Sequence, residues 1–569
     1  MVYFLFNGED SLYTIAMNFK DQLHRKILKT VYALWPQVRE SSFSFGVDYP
    51  PGHKFGDYTT NAAMKLAGIV HQSPMTIAES ITVAMGKTIG VRESSVVAPG
   101  FINIFLDEKW LSTQVEEIVS KKTLFGRSDL GEKKRIVVEF VSANPTGPLT
   151  LGNGRAAFGG DALCNILQLA GYRPYREYYI NDIGNQVNIL AESVLRRYWQ
   201  HQGINMEFPD YCYQGAYVEE LAKNLYLPNY KLASAQKLEV VRDKIKGRIL
   251  AKMISGIKKV LVKKVGVRYD KWFSEKSLYA SGLVDKMLAL LKEKKLLYKS
   301  EGAIWLKTTQ YGDDKDRVLI KADGDPVYFL SDIALRYHRF FKRKFSKEIF
   351  ILGADHHGYQ GRMQAAMSIL GQAGKLDILL IQLVRLLKHG QEVRMSKRSG
   401  TFVTLEELVD EVGVDAARYF FLMYDFNTHM DFNLDLAKKK SKDNPVYYVQ
   451  YAHARICSIM RKLSQFTAAN KGKKPHRNAA KVLEPAEIGL IKQLIKWPEL
   501  VADIARSYQV HKLTSYATTV ATEFHTFYTQ CRVINGKEVN YDRVMLVRAT
   551  RQVLQNVFAA MGVSAPEKM

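Results

Sequence analysis

The sequence contains little cysteine, with four residues in 569, all far apart. Cys164, Cys212, Cys457 and Cys531 form no Cys-x-x-Cys pair, which argues against a zinc ribbon and against a disulfide framework. We therefore expect no structural zinc, and we expect the protein to work in a reducing compartment, the cytoplasm.

Long apolar runs are also missing. The longest, such as 376–384, fall well short of the roughly 20 apolar residues that span a bilayer. Residues 1–7 carry no basic segment and their apolar stretch ends at Asn7, so a signal peptide is not expected. The sequence thus predicts no membrane partner.

Acidic residues are scarce relative to basic ones. The chain has 57 Asp and Glu against 81 Lys and Arg, a net charge of +24 spread over many segments. A long polyanion is the partner that such a surface favours, although a merely soluble basic surface would have the same composition. The length exceeds what one hydrophobic core supports, so we expect about three or four domains.

One loop stands out between a short apolar strand, 136–140, and a helix that we predict from Ala156 to Ala170. It reads Val-Ser-Ala-Asn-Pro-Thr-Gly-Pro-Leu-Thr-Leu-Gly-Asn-Gly-Arg over 141–155. The free N–H groups at a helix start favour an anion, and Gly152 and Gly154 let a base or phosphate approach the backbone. The pattern predicts a strand-loop-helix phosphate site.

The same residues allow two other interpretations of this loop. Residues 152–157 fit the dinucleotide fingerprint G-x-G-x-x-A, but there the first glycine follows the strand directly, whereas here a long loop with two prolines intervenes. The loop could also be a turn with only a structural role. Neither alternative explains the hydroxyl and amide side chains as well as a phosphate site does.

The loop resembles the His-x-Gly-His signature of class I aminoacyl-tRNA synthetases, and its Asn-Pro-Thr-Gly-Pro-Leu context resembles arginyl-tRNA synthetases. The two family histidines fall on Thr150 and Asn153. In the family those side chains donate hydrogen bonds to ATP phosphates. Thr and Asn can donate as well, but without the charge that imidazole can carry.

A second loop, 393–401, reads Val-Arg-Met-Ser-Lys-Arg-Ser-Gly-Thr and resembles the family's Lys-Met-Ser-Lys-Ser signature, with Arg in its first and last positions. Three cations with hydroxyls and a glycine suit a mobile clamp on a triphosphate, although exposed basic loops are common. The resemblance implies catalytic roles for Thr150, Gly152, Asn153 and Lys397, and contacts to ATP, with Mg²⁺, from Pro148, Gly154, Arg394, Met395 and Ser396.

Candidate residues for an amino-acid substrate lie at strand ends. Glu139 closes the strand before the first loop and Asn144 lies within that loop, so both should face the crevice at the carboxyl edge of a parallel sheet. Tyr328 and Asp332 should lie close together, with Asp332 at a helix start where it could be only an N-cap. The resemblance implies that these residues bind the arginine guanidinium, which suits a carboxylate and an aromatic face.

Two further stretches belong to the same edge. The strand 349–354 ends in Asp355-His356-His357, which suggests a metal site, but no further ligand lies at useful spacing. The resemblance instead implies that His356 contacts the main-chain end of arginine. In 177–186, Asn181, Asp182 and Gln186 are predicted to line or support the site, with simple helix caps as the alternative.

The fold class that follows is a multidomain α/β protein with a Rossmann-like parallel-sheet catalytic domain. We expect an N-terminal α/β tRNA-binding module at 1–125, the catalytic domain at 126–440 with a helical insertion at about 190–321 and a second-signature and stem-contact region at about 390–440, and an all-α anticodon-binding bundle at 441–569. The bundle's first helix carries the candidate tRNA contacts Tyr447, Tyr451 and Arg455.

The resemblance implies an arginine–tRNA ligase that forms arginyl-adenylate from L-arginine and ATP. It then transfers arginine to the 2′-hydroxyl of the terminal adenosine of its tRNA. We expect a monomer that needs bound tRNA for the first step. Two rivals stay open: a non-catalytic RNA-binding paralogue, and a class I ligase for another amino acid.

Overall fold

The computed structural model describes residues 18–227, 236–354, 358–393, 403–469, 482–535 and 538–569. Its N-terminal module is a four-stranded antiparallel sheet, in the order β1-β2-β4-β3, packed against helices. The elements are α1 (Phe19–Leu34), β1 (Val47–Asp48), β2 (Tyr58–Thr60), α2 (Ala62–Val70), α3 (Pro74–Met85), β3 (Val91–Val97), β4 (Phe101–Leu106) and α4 (Glu108–Lys121).

The central domain is built on a five-stranded parallel sheet in the order β12-β11-β5-β6-β7. Its strands are mostly buried apolar runs, as expected where helices cover both faces of a parallel sheet. The elements are β5 (Arg135–Glu139), α5 (Leu151–Leu169), β6 (Arg173–Ile180), α6 (Asn185–His201), α7 (Ala216–Lys223), α8 (Gln236–Lys258), β7 (Lys271–Ser274), α9 (Lys276–Ala280), α10 (Leu283–Glu293), β8 (Leu297–Ser300), β9 (Ala303–Leu306), β10 (Arg317–Ile320), α11 (Tyr328–Tyr337), β11 (Lys347–Gly353), α12 (Tyr359–Ile369) and β12 (Leu376–Ile381).

The range 190–321, predicted as helical, also contains strands. β7 is the edge strand of the parallel sheet, and β8, β9 and β10 form a separate antiparallel sheet. Each of these strands has four residues. Strands that short show too little alternation to stand out among amphipathic helices.

The chain then passes through a smaller region into a helical domain. In the smaller region β13 pairs with both β14 and β15, and a glycine at Gly413 separates two helices where one had been expected over 405–422. The elements are β13 (Val384–Lys388), β14 (Gln391–Glu392), α13 (Leu405–Val412), α14 (Val414–Leu422), β15 (Met430–Asn433), α15 (Leu434–Lys438), α16 (Pro445–Ala469), α17 (Pro485–Leu494), α18 (Trp497–Ser507), α19 (Lys512–Gln530), β16 (Ile534–Asn535), β17 (Glu538–Val539) and α20 (Tyr541–Met561).

A buried arginine joins the helical domain to the central domain. Arg418, on α14, is 2% exposed and donates to Asp161 Oδ2 of α5 at 2.9 Å and to the carbonyl of Met561, the last residue of α20, at 3.2 Å. It also donates to the Val265 carbonyl at 2.8 Å. One guanidinium therefore fixes the end of the last helix against α5.

A buried acid joins the helical domain to the N-terminal module. Glu499, on α18, accepts hydrogen bonds from the hydroxyls of Tyr49 and Tyr58 and, at 3.0 Å, from the Lys20 N–H. Burial raises the pKa of this carboxyl, and the tyrosine hydroxyls act against that rise. The N-terminal module and the helical domain thus share a polar contact that is centred on a buried carboxylate.

Candidate functional site

The helix α5 begins at Leu151, five residues before the predicted start, so the glycine-bearing signature lies in its first turn. Thr150 precedes the helix, and its N–H and hydroxyl both donate to Asn153 Oδ1, at 2.9 and 3.0 Å. The two side chains that replace the family histidines therefore hold each other at the helix start. The Asn153 amide N–H₂ stays available to an anion there.

The two signature glycines have different surroundings. Among the described residues, a Cβ placed on Gly152 would meet only Thr150 Oγ1, at 3.9 Å, so that part of the chain leaves this side of the turn open. A Cβ on Gly154 would come within 2.6 Å of Leu405 Cδ1. Gly152 thus gives a ligand room, whereas Gly154 lets α13 pack closely on α5.

The first signature also touches the segment that follows the second. The Leu405 N–H donates to the Leu149 carbonyl at 2.9 Å, and Thr150 and Thr404 form an antiparallel bridge. The predicted residues Arg394, Met395, Ser396 and Lys397 lie outside the described residues. Their C-terminal flank, however, is held against the first turn of α5.

Strained backbone marks the exit from β5. Val141, a β-branched residue, has φ of 71° and Ser142 has φ of 35°, a conformation that such residues rarely adopt. The Ser142 hydroxyl accepts from the Tyr179 N–H at 3.0 Å, which helps to hold the turn. The turn places Asn144, an exposed residue, at the mouth of the crevice.

Asn144 is joined to two of the residues predicted beside it. Its amide donates to Gln186 Oε1 at 2.8 Å, and the Asn181 amide donates to Asn144 Oδ1 at 2.7 Å. Asp182 instead accepts from the Ser274 hydroxyl and from the Lys276 N–H. The structure thus brings Asn144, Asn181 and Gln186 together, while Asp182 holds the end of β7.

Tyr328 and Asp332 lie one turn apart on the same face of α11. The helix begins at Tyr328, so the interpretation of Asp332 as an N-cap is wrong. Tyr328 is 58% exposed, and a Cβ on Gly184 would come within 3.3 Å of its hydroxyl. Asp332 Oδ1 accepts from Arg336 Nη1 at 2.9 Å, one turn further along. Burial raises the pKa of Asp332 to about 6, although the Arg336 guanidinium acts to lower it.

The sequence interpretation missed Glu275, which follows β7. Its side chain is buried, Oε1 accepts from the Ser331 hydroxyl at 2.9 Å, and Oε2 has no hydrogen-bond partner among the described residues. Burial raises the pKa of Glu275 to about 7, and the Asp332 charge adds to the rise. The nearby Tyr179 hydroxyl is also buried without a hydrogen bond in the described part of the chain. A buried carboxylate oxygen and a phenol hydroxyl that lack hydrogen bonds among the described residues indicate a site for a polar ligand.

Glu139 lies at the end of β5, as predicted, and is part of a larger buried ion network. Its Oε2 accepts from Arg339 Nη2 at 2.6 Å, and Arg339 also binds Glu177 and Glu348. Burial raises the pKa of Glu139, and the Arg339 guanidinium opposes that rise. Glu139 is thus one corner of a buried ion network. The predicted His356 lies outside the described residues.

The candidate RNA contacts lie together on α16. The rings of Tyr447 and Tyr451 stack with 6.4 Å between centroids, and Arg455 Nη2 donates to the Tyr451 hydroxyl at 2.6 Å. Arg455 also lies over the ring of Tyr528, 4.7 Å from its centroid. A cleft of about 820 Å³ opens here, lined by the basic side chains Arg455, Arg461, Lys462, Arg532 and Lys568.

Two further features bear on partners. The described residues include no group of three or more His, Cys, Asp or Glu side chains arranged to hold a metal ion. Among the described helices, none combines the length and the apolar character needed to cross a bilayer.

A parallel sheet whose strand β5 leads through a loop into the anion-favouring start of α5 defines the catalytic architecture of a class I aminoacyl-tRNA synthetase. A helical domain follows it in the chain. Residues 114–428 match the family model described as tRNA synthetases class I (R), catalytic domain. Residues 17–106 match the arginyl tRNA synthetase N terminal domain, and residues 449–569 match the DALR anticodon binding domain.

Full-length relatives agree with the three matches. The chain is 43% identical to an arginine–tRNA ligase of Syntrophotalea carbinolica, over 97% of this chain and 100% of the relative. It is 41% identical to arginine–tRNA ligase 1 of Halalkalibacterium halodurans, over 97% and 99% of the two chains. The solved Thermus thermophilus arginyl-tRNA synthetase shares the fold, with a TM-score of 0.76 at 21% identity over 97% and 100% of the two chains. The chain belongs to the arginyl-tRNA synthetase family.

Proposed function

We propose that the residues described above carry out arginine–tRNA ligation in two steps. The arginine carboxylate attacks the ATP α-phosphorus in line, and pyrophosphate leaves. The 2′-hydroxyl of the terminal adenosine of the tRNA then attacks the carbonyl of the adenylate, and AMP leaves. The first step demands positioning and charge stabilisation more than a general base.

The observation that carries the amino-acid assignment is the pair of acids Asp332 and Glu275 beside Tyr328. Each acid has one oxygen held by the protein, and for each the second has no hydrogen bond within the described residues. Two such oxygens suit two N–H groups of a planar guanidinium, and the Tyr328 ring offers a face on which it can stack. Glu139 supports the same site through its charge.

The contacts between loops support a short path from this pocket to the phosphate site. Tyr328 lies against Gly184, and Gln186 two residues later binds Asn144 in the signature loop. Asn144 is therefore our candidate for holding the main-chain end of arginine toward ATP, together with His356.

For ATP, we propose that the N–H groups at the start of α5, the Asn153 amide and the open face of Gly152 receive the nucleotide, with Pro148 and Gly154 shaping the turn. Lys397, with Arg394, Met395 and Ser396, would close on the triphosphate from the other side. Mg²⁺ would come bound to the phosphates, since no acidic cluster for it lies among the described residues.

For tRNA, we propose that Tyr447, Tyr451 and Arg455 contact the anticodon region. Stacked tyrosines and a cation–π arginine in a basic cleft are suited to unpaired bases. We further propose that the protein is a cytoplasmic monomer. The free and buried state of all four cysteines supports a reducing compartment, and light scattering would test the monomer.

The test is arginine-dependent exchange of pyrophosphate into ATP, with and without cognate tRNA, and with lysine and glutamate as controls. We expect exchange with arginine plus tRNA and none with the other amino acids. Tight tRNA binding without exchange would instead favour an RNA-binding paralogue. Exchange with lysine or glutamate would favour a ligase for another amino acid.

A further inference from the structure

A buried arginine of the protein itself bonds one acid of the proposed arginine pocket. Arg336 is fully buried on α11, and its guanidinium lies between Asp332 and Glu348, with Nη1 2.9 Å from Asp332 Oδ1 and Nη2 3.0 Å from Glu348 Oε1. It also lies over the Phe350 ring, 4.8 Å from the centroid. Asp332 thus accepts the one hydrogen bond that this guanidinium makes among the described residues, whereas Nη2 lies near Glu348 without a hydrogen bond there.

The consequence for Asp332 is geometric. A carboxylate on a helix can rotate about its side-chain bonds, but here the hydrogen bond from Arg336 to Oδ1 restricts that rotation. Asp332 is 16% exposed at its side chain, and Oδ2 makes no hydrogen bond to any described residue. The acid therefore offers one defined oxygen to a ligand.

We propose that Arg336 is a positioning residue for arginine recognition, which holds Asp332 so that Oδ2 meets the substrate guanidinium. The proposal rests on the assignment of Asp332 to the amino-acid pocket and adds a role for a residue that does not itself need to touch substrate. Pre-organisation of this kind spares the substrate the cost of ordering the acid when it binds.

The charges that face Asp332 decide how its affinity for a cation changes with pH. The acids are Glu139 at the end of β5, Glu275 after β7 and Glu348 on β11. The bases are Arg336, Arg339 and Arg362, and the phenols are Tyr179 and Tyr279. Arg336 is the one that bonds Asp332 directly, and its charge is the largest influence opposing burial.

Loss of Arg336 should therefore leave Asp332 beside the same acids with less positive charge to offset theirs. Burial and the nearby acids raise the pKa of Asp332, and Arg336 lowers it. Without that cation the pKa rises further, so the acid takes up a proton at neutral pH and binds the substrate cation less well. Affinity should return as the pH rises through the new pKa, because the acid must be ionised to bind.

The experiment compares wild type, Arg336→Met and Arg336→Lys in the tRNA-supported exchange assay from pH 6 to 8.5. For Arg336→Met we expect the arginine KM at pH 7 to rise, by about tenfold for each unit by which the pKa of Asp332 then exceeds the pH. The ATP KM should stay within about twofold. We expect Arg336→Lys, which keeps the charge but not the fork, to restore the pH profile while the arginine KM stays raised.

Arg343→Met is the matched control. Arg343 is also a mostly buried guanidinium of the same network, but it bonds Glu177 and lies over Tyr175 and Phe345, away from Asp332. Its loss should cost stability without moving the acid limb of the arginine profile. Melting temperatures of all variants separate a folding defect from an effect on recognition.

Each outcome bears on one proposal only. Wild type without arginine-dependent exchange would overturn the function itself. If wild type is active but Arg336→Met and Arg343→Met have the same pH profile, Arg336 has only a structural role and the inference fails. If Arg336→Met does not fold, Arg336→Lys becomes the test. An unchanged arginine KM for Arg336→Lys would also contradict the proposal.

Discussion

At the scale of single residues, the proposed arginine pocket contains two acids whose pKa values are raised by burial. Glu275 and Asp332 have pKa values raised to about 7 and about 6, and an incoming guanidinium favours their charged forms. Arginine binding should therefore release protons at neutral pH. We expect the arginine KM to rise steadily as the pH falls from 8 to 6, while the ATP KM changes little. Equal pH dependence of both constants would argue against a titrating pair in the arginine pocket.

Glu275 can be tested by removing its charge alone. Glu275→Gln keeps the shape and the acceptor for the Ser331 hydroxyl, but it leaves the guanidinium one carboxylate short. A hydrogen bond to a charged group contributes about 1.5–3 kcal/mol, so the arginine KM should rise roughly tenfold or more. Asp285→Asn, at an exposed position on α10, is the control and should leave the KM unchanged.

Lys397 is the residue on which we expect the chemical step to depend most. Lys397→Ala removes a cation from the proposed triphosphate clamp, and loss of one such donor typically costs about 10²–10³ in rate. Arginine binding, measured by calorimetry in the presence of tRNA, should survive. An unchanged exchange rate would remove Lys397 from the mechanism.

At the scale of elements, the signature turn of α5 separates two roles of glycine that the sequence alone does not distinguish. Gly154→Ala should push Cβ against Leu405 and cost about 1–3 kcal/mol of stability. Gly152→Ala meets open space, so folding should be unaffected or improved by helix propensity. Its exchange rate should fall because the ligand loses that space. The melting temperatures and the ATP KM values of Gly152→Ala and Gly154→Ala test these two roles. A lower melting temperature for Gly152→Ala would contradict the role given to Gly152.

The sequence predicted the elements whose patterns are long or are bounded by glycine and proline. It missed the elements that are decided by tertiary contacts. The first signature loop and the strand 101–106 were recognised from the chain alone. The start of α5 was placed late because Gly152 and Gly154 are poor helix formers, and the reciprocal Thr150–Asn153 bonds offset that weakness. Glu275 could not be found from sequence, because only the pairing of β7 with β6 brings it to the pocket.

At the scale of the whole molecule, the contact at Glu499 should make the N-terminal module and the helical domain unfold together. Glu499→Ala leaves the Tyr49 hydroxyl, the Lys20 N–H and the buried Tyr58 hydroxyl without their acceptor, and the Tyr58 hydroxyl alone should cost about 1–3 kcal/mol. We expect a lower urea midpoint and faster proteolysis between the two parts. Asp503→Asn, exposed on the same helix, is the control. An Ala variant as stable as wild type would show that the contact is dispensable.

The arginine at position 418 also limits how this protein can be recombined. Because it bonds both Asp161 in α5 and the carbonyl of the last residue of α20, the end of α20 is tied to the helix that begins with the first signature. A chimera that grafts another anticodon domain onto this catalytic half would lose that support unless the donor helix ends in the same register. Gly562, where a Cβ would come within 2.3 Å of the guanidinium, sets the same limit on what can follow that helix. Exchange of helical domains within this architecture therefore has to preserve the buried contact of Arg418 with α5 and the end of α20.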